Sequence, residues 1–297
     1  MTGILVVDKP AGYTSFRVVS KVRGMAKTKK VGHAGTLDPA ATGVLPVFLG
    51  GATRFIDLLP EHGKRYTATF VLGITTDTQD ATGTVLRTRP VEAGEKEVAA
   101  AFSRFKGKIS QIPPMYSALW QDGKRLYELA RQGIEVERAP RKIEIENISL
   151  LWHDEAAGRY CIDVSCSKGT YIRTICHDLG EMLGCGAVLE DLRRTHACGF
   201  DLESSYALQQ LQALADQENL ESALLPLESV FAGFARLNLD ERCARLFKNG
   251  VRLGLDIFGQ LSCQGGEQLA IFGPGDVFLG LATPADGCLC HLKMLGE

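Results

Sequence analysis

Val31-Gly32-His33-Ala34-Gly35-Thr36-Leu37-Asp38-Pro39-Ala40-Ala41-Thr42-Gly43 is the stretch around which the rest of the sequence is organised. It places one carboxylate, Asp38, between an apolar residue and a proline, in a segment with three glycines. Proline disfavours the helical region for the residue before it, so we expect Asp38 on an extended backbone. Glycines allow a positive φ or a close backbone approach. The stretch therefore predicts a bent, open loop that presents a reactive carboxylate.

The same residues have a second interpretation as the start of a helix. Asp is a common N-cap residue, and Pro is a common first helical residue. On the dipeptide Asp38-Pro39 alone, the helix cap is the stronger of the two interpretations. The other segments of the chain have to decide between them.

The composition is that of a globular protein. The chain has 297 residues, 45% hydrophobic and 23% charged, which suits one large domain or a large and a small one. An acid at Asp8 comes too early for a signal peptide, and no apolar run approaches the ~18 residues of a membrane span, so we expect a cytoplasmic protein. Nine cysteines without C-x-x-C spacing favour reduced thiols, and we expect no metal site.

Charge is distributed unevenly along the chain. The net charge is −2, yet residues 1–65 carry ten Lys/Arg and four Asp/Glu, whereas residues 200–297 carry six and thirteen. A basic N-terminal face is typical of proteins that contact phosphates, so we expect a nucleic-acid partner. For the run Lys27-Thr28-Lys29-Lys30 taken alone, a solvated helix face is an equally good interpretation.

Hydrophobic periodicity predicts an α+β fold. Strands are predicted at residues 4–7, 44–49, 64–72, 142–151 and 159–165. Helices are predicted after Thr14 or Ser15 and at residues 95–105, 174–184 and 208–215. Ser204 or Ser205 is the predicted cap of the last helix. Residues 73–83 read as a loop rich in Thr and Asp, and residues 113–142 as a basic insertion with a short helix near 124–132. From about residue 231, short apolar strands broken by Gly and Pro predict a small β-barrel.

Seven segments resemble, in the same order, the TruB family of tRNA pseudouridine synthases. They are GILVVDKPAG (3–12), the loop motif of residues 33–43, Lys64-Arg65-Tyr66, PPMYSAL (113–119), LYELARQG (126–133), CSKGTYIRT (166–174) and Leu192-Arg193-Arg194. The resemblance implies the pseudouridine synthase fold, a mixed and mainly antiparallel sheet with flanking helices, in a catalytic domain of residues 1–230. It also implies an RNA-gripping, thumb-like insertion at about 113–142 and a PUA-like domain at 231–297. The PUA domain of the family is an RNA-binding module, whereas this segment is short and acidic, so its role in RNA binding stays open.

The resemblance implies an isomerase that converts uridine-55 in the T loop of tRNA to pseudouridine. This reaction breaks the N1–C1′ bond, turns the base and joins C5 to C1′ without redox change, so no cofactor is implied. The implied partner is the T-arm stem-loop of tRNA, without guide RNA or membrane, and we expect a monomer. The chain resembles more distantly the dyskerin-type synthases, which work with guide RNAs.

Three residues are implied to be catalytic. Asp38 acts on the flipped uridine, and whether it attacks C1′, attacks the base or removes a C2′ proton stays open. Arg173 pairs with Asp38, and Tyr66 stacks on the base and takes part in C5 deprotonation. On an extended backbone Tyr171 and Arg173 project to the same side, so we expect Arg173 on an extended segment and a bidentate pair with Asp38. Without the resemblance, core packing is the better interpretation of Tyr66.

The resemblance further implies substrate-binding roles for residues around this centre. Tyr171 and Leu192 correspond to base contacts, and His33 to a residue near the flipped nucleotide. A lone histidine in a glycine-rich loop is more often structural, which is the alternative for His33. Lys9 and Lys168 are expected to be either phosphate contacts or structural contacts.

Two other functions fit parts of the sequence. An RNA chaperone that opens and refolds the tRNA elbow without chemistry would use the basic face and would tolerate Asp38→Asn. A nucleosidase would release free base, but the sequence offers no second positioned carboxylate for it. Asp38 therefore distinguishes the enzyme from the chaperone.

Overall fold

The computed structural model describes residues 1–258 and 266–296. Its helices are α1 (Ser15–Met25), α2 (Glu95–Ala101), α3 (Leu126–Arg131), α4 (Ile172–Met182), α5 (Leu208–Asp216) and α6 (Glu241–Lys248). Its strands are β1 (Gly3–Lys9), β2 (Val31–His33), β3 (Thr42–Leu49), β4 (Lys64–Leu72), β5 (Ile74–Thr76), β6 (Val85–Thr88), β7 (Gly107–Gln111), β8 (Trp120–Gln121), β9 (Lys124–Arg125), β10 (Arg141–Asp154), β11 (Arg159–Cys166), β12 (Ala187–Ala197), β13 (Phe200–Asp201), β14 (Tyr206–Ala207), β15 (Ala235–Asn238), β16 (Leu253–Gly254), β17 (Leu269–Gly273), β18 (Val277–Ala285) and β19 (Cys288–Met294).

A large mixed sheet forms the centre of the fold. Its strand order is β14-β1-β3-β12-β4-β11-β10-β7, with β2 paired to β3 and β13 paired to β12. Most neighbours run antiparallel, and the parallel pairs are β1 with β14 and β3 with β12. This confirms the predicted α+β class with a mixed, mainly antiparallel sheet.

Strand β4 shows why the sequence forms this sheet. Its side chains alternate, and Tyr66, Ala68, Phe70 and Leu72 all enter one hydrophobic cluster with residues of α2 and α4. Strand β1 is instead apolar on both faces. The face with Leu5 packs against α1 and α5, and the opposite face packs towards the C-terminal sheet. A continuous apolar run is typical of a strand covered on both sides.

The C-terminal part is a second, curled sheet. Its five strands have the order β15-β17-β18-β19-β16 and form a half-barrel with α6 packed on it. The ring centre of Phe278 in β18 lies 5.8 Å from that of Phe55 and 6.0 Å from that of Phe231. The core of the C-terminal sheet therefore continues into the core of the large sheet. The predicted C-terminal β-structure is confirmed as a half-barrel, although residues 259–265 and 297 of its predicted range lie outside the described residues. Its separation as a domain and the boundary at 230 stay predictions.

Of the two interpretations of Asp38-Pro39, the open loop is confirmed, because residues 34–41 form no helix and have a single turn bond from Ala41 N to the Asp38 carbonyl (3.1 Å). Two local predictions were wrong. Helix α4 begins at Ile172, two residues earlier than predicted, and so includes Arg173. Ser205 does not cap α5, since its hydroxyl donates to the Leu202 carbonyl and Ala207 is the cap residue.

None of the helices in the described ranges is long and apolar enough to cross a membrane.

Candidate active site

Arg194 of β12 anchors the first part of the loop that carries Asp38. Its side chain is fully buried and donates to the carbonyls of Gly35 (3.0 Å), Thr36 (3.4 Å) and Val44 (2.7 Å). Gly43, which pairs with Arg194 across β3 and β12, has φ +103°, and a Cβ there would lie 2.1 Å from the Arg194 carbonyl oxygen. Only glycine allows the strands to approach so closely.

Ser15 and Lys9 anchor the second part of the loop. The Ser15 hydroxyl, 2% exposed as a residue, donates to the Leu37 carbonyl (3.1 Å) and accepts from the Leu37 N–H (2.9 Å). The buried Lys9 ammonium donates to the carbonyls of Pro39 (3.1 Å), Tyr13 (2.7 Å) and Pro10 (3.0 Å). Side chains from α1, β1 and β12 therefore fix a loop that makes few backbone hydrogen bonds of its own.

Lys9 thus fits the structural alternative rather than the phosphate contact. All three donors of its ammonium are directed to backbone carbonyls, and none of its surface is exposed. Burial lowers the pKa of Lys9 to about 8, although the nearby Asp38 carboxylate opposes that shift. A phosphate could reach the ammonium only if the loop opened.

Asp38 forms an ion pair with Arg173. The distance from Arg173 Nε to Asp38 Oδ2 is 3.0 Å, and the two side chains are 5% and 44% exposed. Arg173 Nη1 donates to the Thr78 carbonyl (2.9 Å), and Nη2 donates to the Tyr116 carbonyl (2.8 Å). Asp80 lies 3.8 Å from Arg173 Nη1. A buried, multiply bonded cation therefore holds a carboxylate that faces the solvent.

This geometry differs from the expected one in two respects. Arg173 lies in the first turn of α4, and Tyr171 is the N-cap residue, with φ −101° and ψ 107°. The helix brings Arg173 under Asp38 without the extended backbone that was expected. The pair is also not bidentate, because both Nη atoms of Arg173 are used by carbonyl groups and only Nε faces Asp38.

The backbone ahead of Arg173 is held by Gln111, at the end of β7. The Gln111 amide donates from Nε2 to the Tyr171 carbonyl (3.0 Å), and its Oε1 accepts from the Tyr171 N–H (2.9 Å). Gln111 is 3% exposed, so this pair of bonds is shielded from water. The predicted insertion begins two residues after Gln111, at Pro113, and the carbonyl of its Tyr116 accepts a hydrogen bond from Arg173. The start of this segment is therefore linked to the start of α4.

A small cleft opens beside the ion pair. Asp38, Arg173, Asp80 and Leu192 line it together with neighbouring residues of the loop and of β12. Leu192 is 8% exposed and forms an apolar wall close to the carboxylate. Tyr171 lies next to the pair, and burial raises the pKa of its hydroxyl, with a smaller contribution from Asp38.

Tyr66 does not line the cleft. It is 5% exposed and belongs to the same buried hydrophobic cluster as Leu37 and Leu192. Burial raises its pKa to about 12, although the charge and hydrogen bond of Arg194 act in the opposite direction. The phenol is therefore neutral at physiological pH in the free protein. A neutral phenol is a hydrogen-bond donor, and it becomes a base only when a stronger acceptor takes its proton.

Neither His33 nor Lys168 lines the cleft. His33 is the last residue of β2. Burial lowers the pKa of its imidazole, and the charge of Arg194 lowers it further. Its Nδ1 is buried and has no hydrogen-bond partner among the described residues. Lys168 is exposed. The pKa of His62 is lowered mainly by the burial of His62 itself and next by the charge of Lys168. His33 is therefore neutral at pH 7, while Lys168 is free to meet an anion.

Sequence reasoning missed three residues that build this site. Asp80 was part of a segment predicted only as a polar loop, yet its carboxylate accepts from Thr78 Oγ1 (2.7 Å) and Thr82 Oγ1 (2.6 Å) and faces Arg173. The density of Thr and Asp there was the available signal. Arg194 lay within a quoted motif but received no role, and Gln111 gave no signal at all.

The described residues show no metal centre or disulfide. They contain no group of three or more His, Cys, Asp or Glu side chains placed to hold a metal ion. Eight cysteines of this part of the chain are free thiols, five of them buried.

Two family models match the chain. The model of the TruB family pseudouridylate synthase N-terminal domain matches residues 23–172, and the model of the tRNA pseudouridylate synthase B C-terminal domain matches residues 173–232. The first of these contains Asp38 and Tyr66, and the second begins at Arg173.

Curated relatives and solved structures resemble the chain over most of its length. The tRNA pseudouridine synthase B of Clostridium tetani is 45% identical over 254 residues, which covers 85% of this chain and 86% of the relative. That of Clostridium kluyveri is 42% identical over 286 residues and covers 96% of each. A chain of the crystal structure of a Cbf5-Nop10-Gar1 complex matches with a TM-score of 0.73 and 25% identity, over 99% of this chain and 85% of that one.

Proposed function

Because the chain belongs to the TruB family of pseudouridylate synthases, we propose that it acts on uridine-55 in the T loop of tRNA. The chain is a tRNA pseudouridine synthase, an isomerase. Support for the T loop comes from the seven ordered segments of the sequence resemblance. Support for the reacting centre comes mainly from one observation, the buried Arg173 that holds the solvent-facing Asp38 at 3.0 Å.

Asp38 is the proposed catalytic carboxylate. An ionised carboxylate can attack C1′ or the base, or remove the C2′ proton, and each of these steps requires the uridine to lie against Asp38 Oδ1 or Oδ2. The 44% exposure of the Asp38 side chain leaves room for that approach. Arg173 orients the carboxylate from below, where it does not compete with the substrate for space. The isomerisation transfers no electrons to or from another molecule, so we propose that it uses no cofactor.

The base must leave its stack to reach Asp38. Flipping a base out of a helix or a folded loop costs a few kcal/mol, which contacts in the cleft have to offset. We assign those contacts to Leu192, which lines the cleft, and to Tyr66 and Tyr171, whose pKa values the Asp38 charge helps to raise. We propose that the neutral phenol of Tyr66 donates a hydrogen bond to the base and takes part in moving the C5 proton once Asp38 or the substrate accepts the phenol proton. His33, as a neutral imidazole, is proposed to bind the nucleotide.

The insertion is the proposed grip on the T-arm. Trp120 is 63% exposed, and the Arg125 guanidinium lies 4.2 Å from the centre of its ring. Arg131 lies 5.4 Å from the ring centre of Tyr127 in α3. Tyr127 is half-buried, so Trp120 is the exposed ring of the two. An arginine over an exposed aromatic ring offers both charge and a planar surface to RNA. We propose that this insertion binds the T-arm directly, without a guide RNA, and that the enzyme works as a monomer.

Nucleoside analysis of a T-arm stem-loop RNA tests this function. The wild-type protein should convert the target uridine to pseudouridine, and Asp38→Asn should form none while its dissociation constant for the RNA stays within a few-fold. Asp57→Asn is the matched control, since Asp57 is an exposed aspartate outside the cleft. Product formed by Asp38→Asn at the wild-type rate would remove Asp38 from the chemistry. Binding without product by the wild-type protein, on the stem-loop and on full tRNA, would refute the choice of substrate.

A further inference from the structure

Phe16 is an exposed aromatic side chain beside the loop of Asp38. It is 69% exposed, more than any other large apolar side chain in the described residues. Its neighbour Ser15 is buried and bonds both backbone groups of Leu37, the residue before Asp38. With about 3.8 Å per peptide step, these bonds keep the Cα atoms of Phe16 and Asp38 within about 15 Å. The backbone of Phe16 is therefore held close to the loop that carries Asp38.

The helix that carries Phe16 is held rigidly at this end. The Thr14 side chain caps α1 by accepting from the Arg17 N–H (3.0 Å). The Arg17 guanidinium lies 4.3 Å from the centre of the Tyr13 ring, and the Tyr13 carbonyl accepts from Lys9 (2.7 Å). Phe16 is thus presented by an ordered backbone, so a ligand that stacks on it would meet a preorganised surface.

The segment of the chain that contains Phe16 has the charge that RNA requires. Between Asp8 and Asp38 the chain has seven Lys/Arg residues and no Asp or Glu. Arg17, Lys21, Lys27, Lys29 and Lys30 are all exposed. None of these five takes part in an ion pair within the described ranges. Their charges are therefore available to phosphates.

We propose that Phe16 is a stacking platform for an unpaired nucleotide of the substrate RNA, a nucleotide other than the target uridine. An aromatic ring beside a basic surface is the combination that binds single-stranded RNA, because every base offers a face for stacking while the cations follow the backbone. The position beside the loop directs the platform to a base near the one that enters the cleft. This inference rests on the proposed function and adds a second base contact outside the cleft.

Binding measurements on Phe16 variants test the platform. All variants are made in the Asp38→Asn background, so that no product forms, and the dissociation constant for the T-arm stem-loop is measured. Base–aromatic stacking predicts that Phe16→Ala binds about 5- to 150-fold more weakly. Phe16→Tyr keeps the ring and should bind within about twofold of the parent. Leu151→Ala, which removes another exposed apolar side chain from β10, should leave the dissociation constant unchanged.

Abasic RNAs show whether the contact is a stack on one base. Each unpaired nucleotide of the loop is replaced in turn by an abasic one, and the effect of Phe16→Ala is measured on every RNA. At one position other than the target, the loss of the base should remove the effect of Phe16→Ala. Equal binding by Phe16→Ala and its parent, or an effect that is the same on every abasic RNA, would overturn the platform. Pseudouridine formation by the otherwise wild-type protein on the unmodified RNA tests the proposed function separately.

Discussion

Arg173→Lys separates the role of positive charge from that of guanidinium shape. In the wild-type protein three nitrogens of Arg173 serve three different groups, at 3.0 Å from Asp38 Oδ2, 2.9 Å from the Thr78 carbonyl and 2.8 Å from the Tyr116 carbonyl. Lysine carries its charge on one nitrogen at the end of a flexible chain, so it cannot occupy the three positions together. The variant keeps the charge and loses the arrangement.

The size of the effect follows from these contacts. A hydrogen bond to a charged group contributes about 1.5–3 kcal/mol. If the contact with Asp38 acts at full strength in the transition state, its loss slows the reaction by about 10- to 150-fold, at 1.36 kcal/mol for each factor of ten. The buried carbonyls left without a donor cost about 1–3 kcal/mol of stability each. The variant should therefore be slower and also less stable, with RNA affinity little changed.

Single-turnover kinetics with saturating enzyme give the rate of the chemical step, and thermal unfolding gives the stability. Arg89→Lys is the matched control, because Arg89 forms its ion pair with Glu181 (2.9 Å) and has no contact with Asp38. Its rate should equal that of the wild type. An Arg173→Lys rate within twofold of wild type, with the protein folded and the RNA bound, would refute the claim that guanidinium geometry positions Asp38.

Three further perturbations address the groups around the pair. Gln111→Leu removes both bonds to the Tyr171 backbone, and we expect slower single turnover at an unchanged dissociation constant; an equal rate would mean that α4 positions Arg173 without them. Tyr66→Phe removes the hydroxyl but keeps the buried ring and RNA binding. The single-turnover rate should fall by about 10²-fold or more. A rate near that of the wild type would exclude the phenol from proton transfer. Burial lowers the pKa of Lys9 in the folded protein to about 8. Between pH 8 and about 10.5 the unfolded chain therefore binds more protons than the folded one, and the free energy of unfolding should rise with pH. We expect a rise of up to about 3 kcal/mol relative to Lys9→Met. Denaturant titrations at pH 7.5 and 10 measure this difference, and parallel pH dependences in the two proteins would contradict it.

The elements with a strong hydrophobic period were predictable from the sequence. Strand β4 covers the predicted residues 64–72, because alternation places Tyr66 and its alternate partners on one buried face. Helix α1 starts at the predicted cap, since the Thr14 hydroxyl accepts from a backbone N–H of the first turn. In these segments local pattern and tertiary packing favour the same structure.

The placement of Arg173 shows where such reasoning fails. Its side chain is charged but almost fully buried, so hydrophobic period gives no reason to include it in a helix. What allows the burial is a set of acceptors from distant segments, the carbonyls of Thr78 and Tyr116 and the carboxylate of Asp38. None of these pairings has a sequence signal, because each joins residues that are 57 or more positions apart. Recognition of the family motif could name Arg173, but it could not give its geometry.

The loop of Asp38 combines two requirements that usually conflict. Its backbone must be rigid to aim a carboxylate, but regular secondary structure would cover that carboxylate with neighbouring strands. Here Arg194, Ser15 and Lys9 satisfy the loop carbonyls from the interior, so the outer side stays open. A buried donor that loses its acceptor, or the reverse, costs about 1–3 kcal/mol, so the three anchors together oppose any local opening of the loop. Substitution of an anchor should thus act on the rate through the position of Asp38, even though no anchor reaches the cleft.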